Sequence, residues 1–292
     1  RQRHPGVELL FVGSQYGPEQ RLARAAGIDF IGLPVRGFLG RGLRAFAAAG
    51  RMACAVCRAR GIILRFRPQV VAGFGGYAAF APMRAARLAG VPTVLHEQNA
   101  IAGMSNRILG RLARRICLSL PGTEGFDASR TVLTGNPVRA AVVALAGRQH
   151  DFSGKRLLVM GGSLGAHALN VHVCRHLDAL RAAGIEVRHQ TGVRDEAVTR
   201  EAYAAAGYDP ACVSAFIDDM ASAYAWADLV LCRAGATTVA ELCAAGLPSV
   251  LVPFPYAVHD HQTRKAQALV AEGAALMLPE ARMESDGLMA QV

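Results

Sequence analysis

Small residues gather at one predicted strand-to-helix turn, in the stretch RAGATTVAELCAAGLP at positions 233–248. The short apolar run 229–232 is typical of a buried strand, and a helix is predicted over 237–245. A helix N-terminus offers unpaired N–H groups and the positive end of its dipole, and small side chains leave a diphosphate room to approach. Glu241, one turn further along, could accept hydrogen bonds from two ribose hydroxyls. The alternative is a first-turn glutamate that only favours the helix dipole.

A glycine-rich turn, GGSLGA at 161–166, follows the predicted strand 156–160. Glycines let the backbone approach a ligand, and Ser163 adds a hydroxyl donor. The turn lacks the G-x-G-x-x-G order of dinucleotide sites, so it is compatible with phosphate binding and also with an ordinary tight turn.

Four polar residues, HEQN at 96–99, stand where a further predicted strand ends, downstream of the turn GFGGYAAFAP at 73–82. A histidine beside a glutamate, His96 beside Glu97, could serve as an acid or a base. The same cluster could instead tie neighbouring loops together through His96 and Asn99. Both interpretations stay open at this point.

Composition excludes several classes of protein. A hydrophobic content of 52% excludes a chain disordered throughout. No apolar run reaches the roughly 18 residues of a membrane span, and no secretory leader is expected. The seven cysteines are scattered, and the C-x-x-C of Cys54 and Cys57 has no second pair to complete a zinc site. The adjacent acids of IDDM (217–220) and the HDH of 259–261 lack the further ligands of a metal site, so no metal or other cofactor is predicted.

Charge is distributed unevenly along the chain. The formal net charge is +10, and between Asp29 and Glu97 there is no acidic residue while ten arginines occur. That region predicts an anionic partner. Aromatic residues make up only 6% and do not alternate with the basic run, which argues against nucleic acid.

The basic region contains a predicted helix, 41–60, with an apolar or small stripe flanked by arginines. Such a helix can lie on an anionic lipid surface. It could equally be an ordinary amphipathic helix packed on a sheet, and both can hold if Phe38, Leu39 and the arginines face lipid. The stripe and its flanking cations are Leu43, Phe46, Gly50, Cys54 and Cys57, with Arg44, Arg51 and Arg58 beside them.

Predicted strands and helices alternate through the whole chain, which indicates an α/β protein with two parallel sheets covered by helices. The strand predicted at 7–13 is expected to be buried, and Asn136-Pro137 breaks the alternation. We therefore predict two domains, 1–138 and 139–292. The first is expected to lack its opening strand and glycine loop, and the second its closing helix.

The order and spacing of several motifs resemble the MurG family, bacterial transferases that add N-acetylglucosamine to the lipid-linked muramyl-pentapeptide precursor of peptidoglycan. The resemblance runs over nearly the whole chain, and HEQN followed by GNPVR is its most specific part. The motifs are GFGGY, HEQNAIAGMSN, GNPVR, GGSLGA, FIDDM and RAGATTVAELCAAGLPSVLVPFP, followed by HDHQ and KA.

The resemblance implies a GT-B architecture, two Rossmann-like domains with a cleft between them, and UDP-N-acetylglucosamine as the donor, held mainly by the second domain. It implies that Ile217 meets the uracil, that the start of the helix at 236 holds the diphosphate, and that Glu241 holds the ribose. Ser163 and Arg139 would also reach phosphate, and Asn99 and Gln262 the sugar. The implied substrate-binding positions are Asn99, Arg139, Ser163, Ile217, Ala236, Thr237, Thr238, Val239, Ala240, Glu241 and Gln262.

The function so implied is an inverting glycosyl transfer that converts lipid I to lipid II at the cytoplasmic face of the plasma membrane, with the enzyme bound peripherally to an anionic surface. The histidine of the family's GGTGGH-like loop is absent here, which leaves His96 as the candidate general base. One alternative is another GT-B transferase that makes a glycolipid from a different nucleotide sugar. An oxidoreductase is a second, but neither half shows a G-x-G-x-x-G with an acid about 20 residues on.

Overall fold

A computed structural model of the chain describes residues 6–17, 19–35, 43–148, 154–162, 166–255 and 261–283. The chain forms two compact units, Arg1–Gly135 and Asn136–Val292. The sequence-based boundary lies at residue 138, just after Asn136-Pro137.

The first unit alternates strands and helices, as its apolar runs and glycine turns predict. Its strands are β1 (Leu10–Ser14), β2 (Asp29–Leu33), β3 (Val71–Gly73), β4 (Thr93–Glu97), β5 (Arg115–Leu118) and β6 (Thr131–Leu133). Its helices are α1 (Glu19–Ala25), α2 (Leu43–Phe66), α3 (Gly76–Leu88) and α4 (Met104–Leu112), with a 3₁₀ turn at Ala128–Arg130.

The strands of the first unit form two parallel sheets rather than one. The order β3-β4-β5-β6 makes one sheet, and β1 pairs with β2 alone among the described strands. The prediction of a buried strand at 7–13 is wrong in two respects: β1 starts at Leu10, and Phe11 is 40% exposed. Phe11 stacks on Phe30 across the β1–β2 pair, so its apolar surface is covered by a cross-strand partner rather than by a core.

Helix α2 is longer than predicted, because Gly61 does not end it. Gly61 is exposed and followed by Ile62 and Ile63, which pack into the core, so tertiary contacts outweigh the poor helix propensity of glycine. The buried face of α2 packs on α3 through Met52, Ala55, Ala59 and Ile63.

The second unit is a Rossmann-like layer structure. Its strands are β7 (Arg156–Met160), β8 (Glu186–Gln190), β9 (Val213–Ser214), β10 (Leu229–Cys232), β11 (Ser249–Leu251) and β12 (Ala275–Met277). Its helices are α5 (Ala140–Val143), α6 (His167–Arg175), α7 (Leu177–Ala182), α8 (Glu196–Ala205), α9 (Met220–Trp226), α10 (Ala236–Ala245), α11 (His261–Ala271) and α12 (Glu280–Arg282), with a 3₁₀ turn at Pro210–Cys212.

Its six strands run parallel in the order β12-β11-β10-β7-β8-β9. Successive residues of β7 point to opposite faces: Leu158 joins a core with α5, α9, α10 and α11, while Leu157 and Val159 join one with α6, α7 and α8. The strand order reverses beside β7, so the carboxyl ends of β7 and β10 lie side by side at the edge where α/β folds bind ligands. Within the described residues, no helix is both long enough and apolar enough to cross a bilayer.

Candidate functional site

The start of α10 is an open helix N-terminus at the carboxyl end of β10. Gly235 occupies the N-cap position and offers no side-chain cap, and the first helical hydrogen bond runs from the Val239 N–H to the Gly235 carbonyl. The N–H groups of Ala236, Thr237 and Thr238 therefore precede the helical ladder. Thr237 is exposed and its neighbours are half-buried, so the part of the chain that the structure describes leaves this end partly open.

The side chain of Glu241 is buried, with 3% of its surface exposed, and accepts hydrogen bonds from two residues. The Arg139 Nε donates to Oε1 at 2.8 Å, and Arg139 Nη2 donates to Oε2 at 3.0 Å. The Tyr224 hydroxyl donates to Oε2 at 3.0 Å. Tyr224 lies on α9, Glu241 on α10, and Arg139 at the N-cap of α5. These three helices pack on one another, so a shared core fixes the backbone positions of the three residues.

This geometry removes one of the two interpretations of Glu241. The residue lies beyond the first turn of α10, which contains no acid, so a first-turn dipole role is wrong. Its carboxylate is instead a buried charge neutralised by a two-pronged arginine contact. Burial and the neighbouring Glu241 raise the pKa of Tyr224, so its hydroxyl remains a donor.

Gln190 was not predicted as a site residue. Its side chain stabilises the glycine turn after β7 through hydrogen bonds. Its Nε2 donates to the Gly162 carbonyl and to the Ala215 carbonyl, both at 3.0 Å, and its Oε1 accepts from the Gly162 N–H at 3.2 Å. Gly162 has φ 81°, a conformation that favours glycine. The sequence signal for Gln190 was its position as a polar residue at the carboxyl end of a predicted strand. Ser163 lies outside the described residues.

The remaining predicted donor residues fall on the same unit. Ile217 follows β9, packs against the core and lines a cavity of about 740 Å³ together with Trp226 and Arg188. Gln262 lies in the first turn of α11, and its Oε1 accepts from the Phe254 N–H at 2.9 Å, which leaves its amide N–H groups for other acceptors. The side chain of Val239 is buried in the core, so only its backbone can serve a ligand, while Ala240 is half-buried.

One of the two acids of IDDM, Asp219, has a structural role. Asp219 is the N-cap of α9 and accepts from the Ser222 N–H at 3.0 Å and the Ser222 hydroxyl at 2.5 Å. These hydrogen bonds hold the pKa of Asp219 below its usual value. Within the described ranges, no group of three or more His, Cys, Asp or Glu residues is arranged to hold a metal ion. His259 and Asp260 lie outside those ranges.

A buried polar network behind the glycine turn was also missed. His189, fully buried, accepts from the Tyr203 hydroxyl at 3.0 Å and donates through Nε2 to Asn170 at 3.1 Å. Asn170 donates in turn to Asp195 at 2.8 Å. Burial lowers the pKa of His189 to about 3. Although burial alone would raise the pKa of Asp195, hydrogen bonds from Asn170 and His167 hold it below its usual value.

In the first unit, both ring nitrogens of His96 are engaged. Nε2 lies 3.0 Å from the Gly135 carbonyl, to which it donates, and Nδ1 lies 3.1 Å from the Gln98 Nε2, from which it accepts. Gln98 also donates to the Phe74 carbonyl at 3.0 Å. His96 is 7% exposed. The cluster thus joins the loops after β3, β4 and β6, which favours the loop-tying interpretation over a free general base.

Glu97 is the second buried carboxylate, with 1% of its surface exposed. Its Oε1 accepts from the Asn99 N–H at 2.9 Å and the Asn99 Nδ2 at 3.1 Å, and its Oε2 accepts from the Asn106 Nδ2 at 2.7 Å. A Cβ on Gly75, the N-cap of α3 at φ 88°, would lie 2.9 Å from the Asn106 amide. Glycine is therefore required there. Asn99 is held by Glu97, whose other oxygen is bound by Asn106 of α4.

The outer face of α2 carries small residues beside cations. Gly50, Cys54, Cys57, Gly61 and Leu64 are exposed at helical spacing. The exposed side chains of Arg51, Arg58 and Arg65 recur every seven residues next to them. The predicted stripe through Cys54 and Cys57 thus faces outward, while a different set of residues packs on α3. The predicted lipid-facing residues Phe38, Leu39 and Arg41 lie outside the described residues, as do the side chains of 43–49.

Comparisons with known proteins agree over nearly the whole chain. Residues 1–118 match the glycosyltransferase family 28 N-terminal domain, and residues 156–292 match the glycosyltransferase family 28 C-terminal domain. Two curated relatives carry the name UDP-N-acetylglucosamine–N-acetylmuramyl-(pentapeptide) pyrophosphoryl-undecaprenol N-acetylglucosamine transferase. The one from Nitratidesulfovibrio vulgaris is 56% identical and the one from Lawsonia intracellularis 51%, each over 96% of this chain and 78% of the relative. The crystal structure of Acinetobacter baumannii MurG is 36% identical, with a TM-score of 0.72 over 97% of this chain and 81% of that chain.

Proposed function

The chain belongs to the MurG family within glycosyltransferase family 28, and from this premise we propose that it transfers N-acetylglucosamine from UDP-N-acetylglucosamine to an undecaprenyl-diphosphate-linked muramyl-pentapeptide. The fold is the two-domain α/β architecture of GT-B enzymes. The relatives' names specify donor and acceptor, and the residues below supply the chemistry.

One observation carries the donor assignment: a buried glutamate and a half-exposed arginine flank an uncapped helix N-terminus at the carboxyl edge of a parallel sheet. The N–H groups of Ala236, Thr237 and Thr238 would hold the diphosphate, because the helix leaves them without an acceptor. Glu241 would accept the ribose hydroxyls, and Arg139 would contribute a mobile positive charge. Val239, whose N–H already donates to the Gly235 carbonyl, would take part only through the position of its backbone. Ala240, without a bulky side chain, would leave the ribose space.

The other contacts follow from position. Ile217 would meet the uracil through its backbone, next to the cavity that it lines. Gln262 would donate its amide hydrogens to the transferred sugar, because its oxygen is engaged by Phe254. Asn99, held by Glu97, would present its amide to the sugar from the first unit. Ser163 stays a prediction for the phosphates.

The reaction would be an inverting displacement. The acceptor hydroxyl attacks the anomeric carbon from the face opposite the diphosphate and releases its proton to solvent water. The C–O bond to UDP breaks, and its electron pair leaves with the phosphate oxygen. The developing negative charge would be stabilised by the amide groups at the start of α10 and by Arg139, both in place before the reaction. We infer that His96 holds the loop that carries Asn99 rather than taking the proton, since both of its nitrogens are engaged.

The direct test is transfer of labelled N-acetylglucosamine from UDP-N-acetylglucosamine to a lipid-linked muramyl-pentapeptide. The wild-type chain should release labelled lipid and UDP in equal amounts. Glu241→Ala should reduce kcat/KM by about 100-fold, because charge-assisted hydrogen bonds to the ribose are lost. A matched control, Cys243→Ala on the exposed side of the same helix, should remain near wild type. Equal activity in both variants would contradict the donor assignment.

For the acceptor's lipid, we propose that the outer face of α2 rests on the anionic cytoplasmic surface of the plasma membrane. Its arginines point outward beside small residues that allow close approach. Each basic residue near an anionic surface contributes about 1 kcal/mol, so reversing Arg51, Arg58 and Arg65 to glutamate should weaken vesicle binding by on the order of 100-fold.

Co-sedimentation with phosphatidylglycerol vesicles measures this binding. The control reverses three exposed arginines elsewhere, Arg114, Arg148 and Arg175, which changes the net charge equally. Binding that falls alike in both triple variants would show only a net-charge effect and would contradict the assignment to α2.

Nucleic acid is not expected to bind, because aromatic residues are not interleaved with the basic ones. A gel-shift assay with random DNA or RNA at physiological salt should therefore show no change in the mobility of the nucleic acid.

A further inference from the structure

The carboxylate of Glu241 is contacted from two different sides. Tyr224, 1% exposed, reaches it from within the core formed by α9 and α10. Arg139 reaches it from the solvent side, since 53% of the arginine side chain is exposed. Of the two described partners, Arg139 is therefore the one that an incoming ligand can reach.

The guanidinium and a ribose would use the same atoms of Glu241. Arg139 places two parallel N–H groups on Oε1 and Oε2. A vicinal diol offers two O–H donors with a similar separation, and it also binds a carboxylate through both oxygens. The two donors therefore compete, and the carboxylate cannot accept both pairs in this geometry while Tyr224 is bound.

We propose that Arg139 and the donor's ribose hydroxyls are alternative partners of Glu241, and that Tyr224 is a positioning residue that keeps the carboxylate in place while they exchange. This rests on the proposed function, since it takes the ligand to be a uridine diphosphate sugar. The released guanidinium would then pair with the diphosphate at the start of α10.

The exchange has a clear energetic reason. A buried carboxylate left without a cation or strong donors is costly, so Glu241 must be paired before the ligand arrives. When UDP binds, the ribose hydroxyls replace the guanidinium and the phosphates give it a new partner. When uridine alone binds, Arg139 is displaced and no phosphate receives it. Arg139 therefore favours ligands with a diphosphate by opposing ligands that lack one.

Tyr224 acts from the other side. Its hydroxyl stays on Oε2 whichever partner is bound, because the residue is buried and its helix packs on α10. Without this bond the carboxylate can rotate, and the contact with the 2′-hydroxyl loses its alignment. Tyr224→Phe removes only the hydroxyl and retains the ring in the core.

The test measures the dissociation constants of UDP and uridine by titration calorimetry or ligand-observed NMR, using the full chain. In Arg139→Met, whose side chain has similar reach but no charge or fork, UDP should bind about tenfold more weakly. Uridine should bind about threefold or more tightly, because its competitor is gone. Opposite changes for the two ligands are the signature of the exchange.

Arg139→Lys is a second variant, made in case Arg139→Met does not fold. It retains the positive charge but cannot form the two-pronged contact with the carboxylate. Its UDP affinity should stay closer to wild type than that of Arg139→Met, and its uridine affinity should still rise. Thermal melts of each variant confirm that the chain is folded. Unchanged or weaker uridine binding in both folded variants would overturn the proposal while leaving the proposed function intact.

Tyr224→Phe is read out by discrimination between UDP and 2′-deoxy-UDP. The wild-type chain should prefer UDP, and in Tyr224→Phe the preference should shrink by about threefold or more, with 2′-deoxy-UDP affinity little changed. A purely structural role would weaken both ligands equally and would overturn the positioning assignment. Failure of the wild-type chain to bind UDP would instead overturn the proposed function and, with it, the exchange.

Discussion

Two buried glutamates, one in each unit, show how the same side chain serves different purposes. Glu97 and Glu241 are 1% and 3% exposed, and each accepts three hydrogen bonds. Glu97 is bound entirely by a backbone N–H and neutral side-chain amides on fixed elements. Glu241 is bound by a buried tyrosine and by a half-exposed arginine. The hydrogen bonds to Glu97 hold a loop in place, whereas the contact with Glu241 includes an arginine that can be displaced.

The difference also separates stability from binding. Removing Glu97 takes away the carboxylate to which the buried Asn106 amide donates. Removing Glu241 leaves the buried Tyr224 hydroxyl without this acceptor, but the arginine that it frees can be solvated by water. We therefore expect the loss of Glu97 to lower mainly the stability of the first unit. The loss of Glu241 should lower mainly the affinity of the second unit for its ligand.

The largest expected effect is on the stability of the first unit. Glu97→Ala should lower the free energy of unfolding by about 3 kcal/mol, because the buried Asn106 amide loses its acceptor and the loop at Asn99 loses two hydrogen bonds. Urea denaturation measures this loss. Glu241→Ala is the matched variant and should lose less, since Arg139 becomes hydrated. Equal losses of unfolding free energy in the two variants would contradict the proposed difference between Glu97 and Glu241.

An intermediate effect concerns acid stability of the second unit. His189 titrates near 6.5 when unfolded and at about 3 when folded, so the unfolded state binds more protons between these values. Stability is therefore lost as the pH falls below 6.5, by at most about 1.4 kcal/mol per pH unit and about 2 kcal/mol by pH 5.

Urea titrations at pH 7 and pH 5 check this, with His189→Gln as the variant that cannot titrate. The loss between the two pH values should shrink in the variant, whatever its absolute stability. Asp195 does not confuse the comparison, because its contribution is lost only near and below its unfolded value of 3.8. An identical loss in wild type and variant would show that the acid sensitivity lies elsewhere.

The smallest expected effect concerns space at the start of α10. Ala236→Leu should weaken UDP binding by about tenfold, or about 1.4 kcal/mol, by crowding the diphosphate. Cys243→Leu places the same side chain at an exposed position of the same helix, and binding should be unchanged. Similar affinities in the two variants would argue that the diphosphate lies away from this helix end.

Local pattern predicted much of this architecture. The parallel α/β alternation, the start of α10 and the polar end of β4 are all visible as residue types at short spacing. Burial of β1 was not predictable in this way, because it depends on how many strands flank it rather than on its own apolar residues. Gly61 shows the same limit for α2, where core contacts override propensity.

The hydrogen-bond partners of the site residues could not be predicted from local sequence either, because they are distant along the chain. Arg139 lies 102 positions from Glu241, and Tyr224 lies 17 positions from it, so folding alone brings them together. The resemblance named Arg139 and Glu241 as ligand residues but gave no reason to pair them. The sequence also could not show that both ring nitrogens of His96 are engaged, which is the observation that argues against its use as a general base.

The central claim is that the open amide groups at the start of α10 hold the diphosphate of a uridine nucleotide. The most direct measurement is a backbone amide NMR titration of the chain with UDP. The account predicts that the amide signals of Ala236, Thr237 and Thr238 shift most, and that they saturate together with the signal of Glu241. Saturable UDP binding that leaves these four amides unmoved would contradict it.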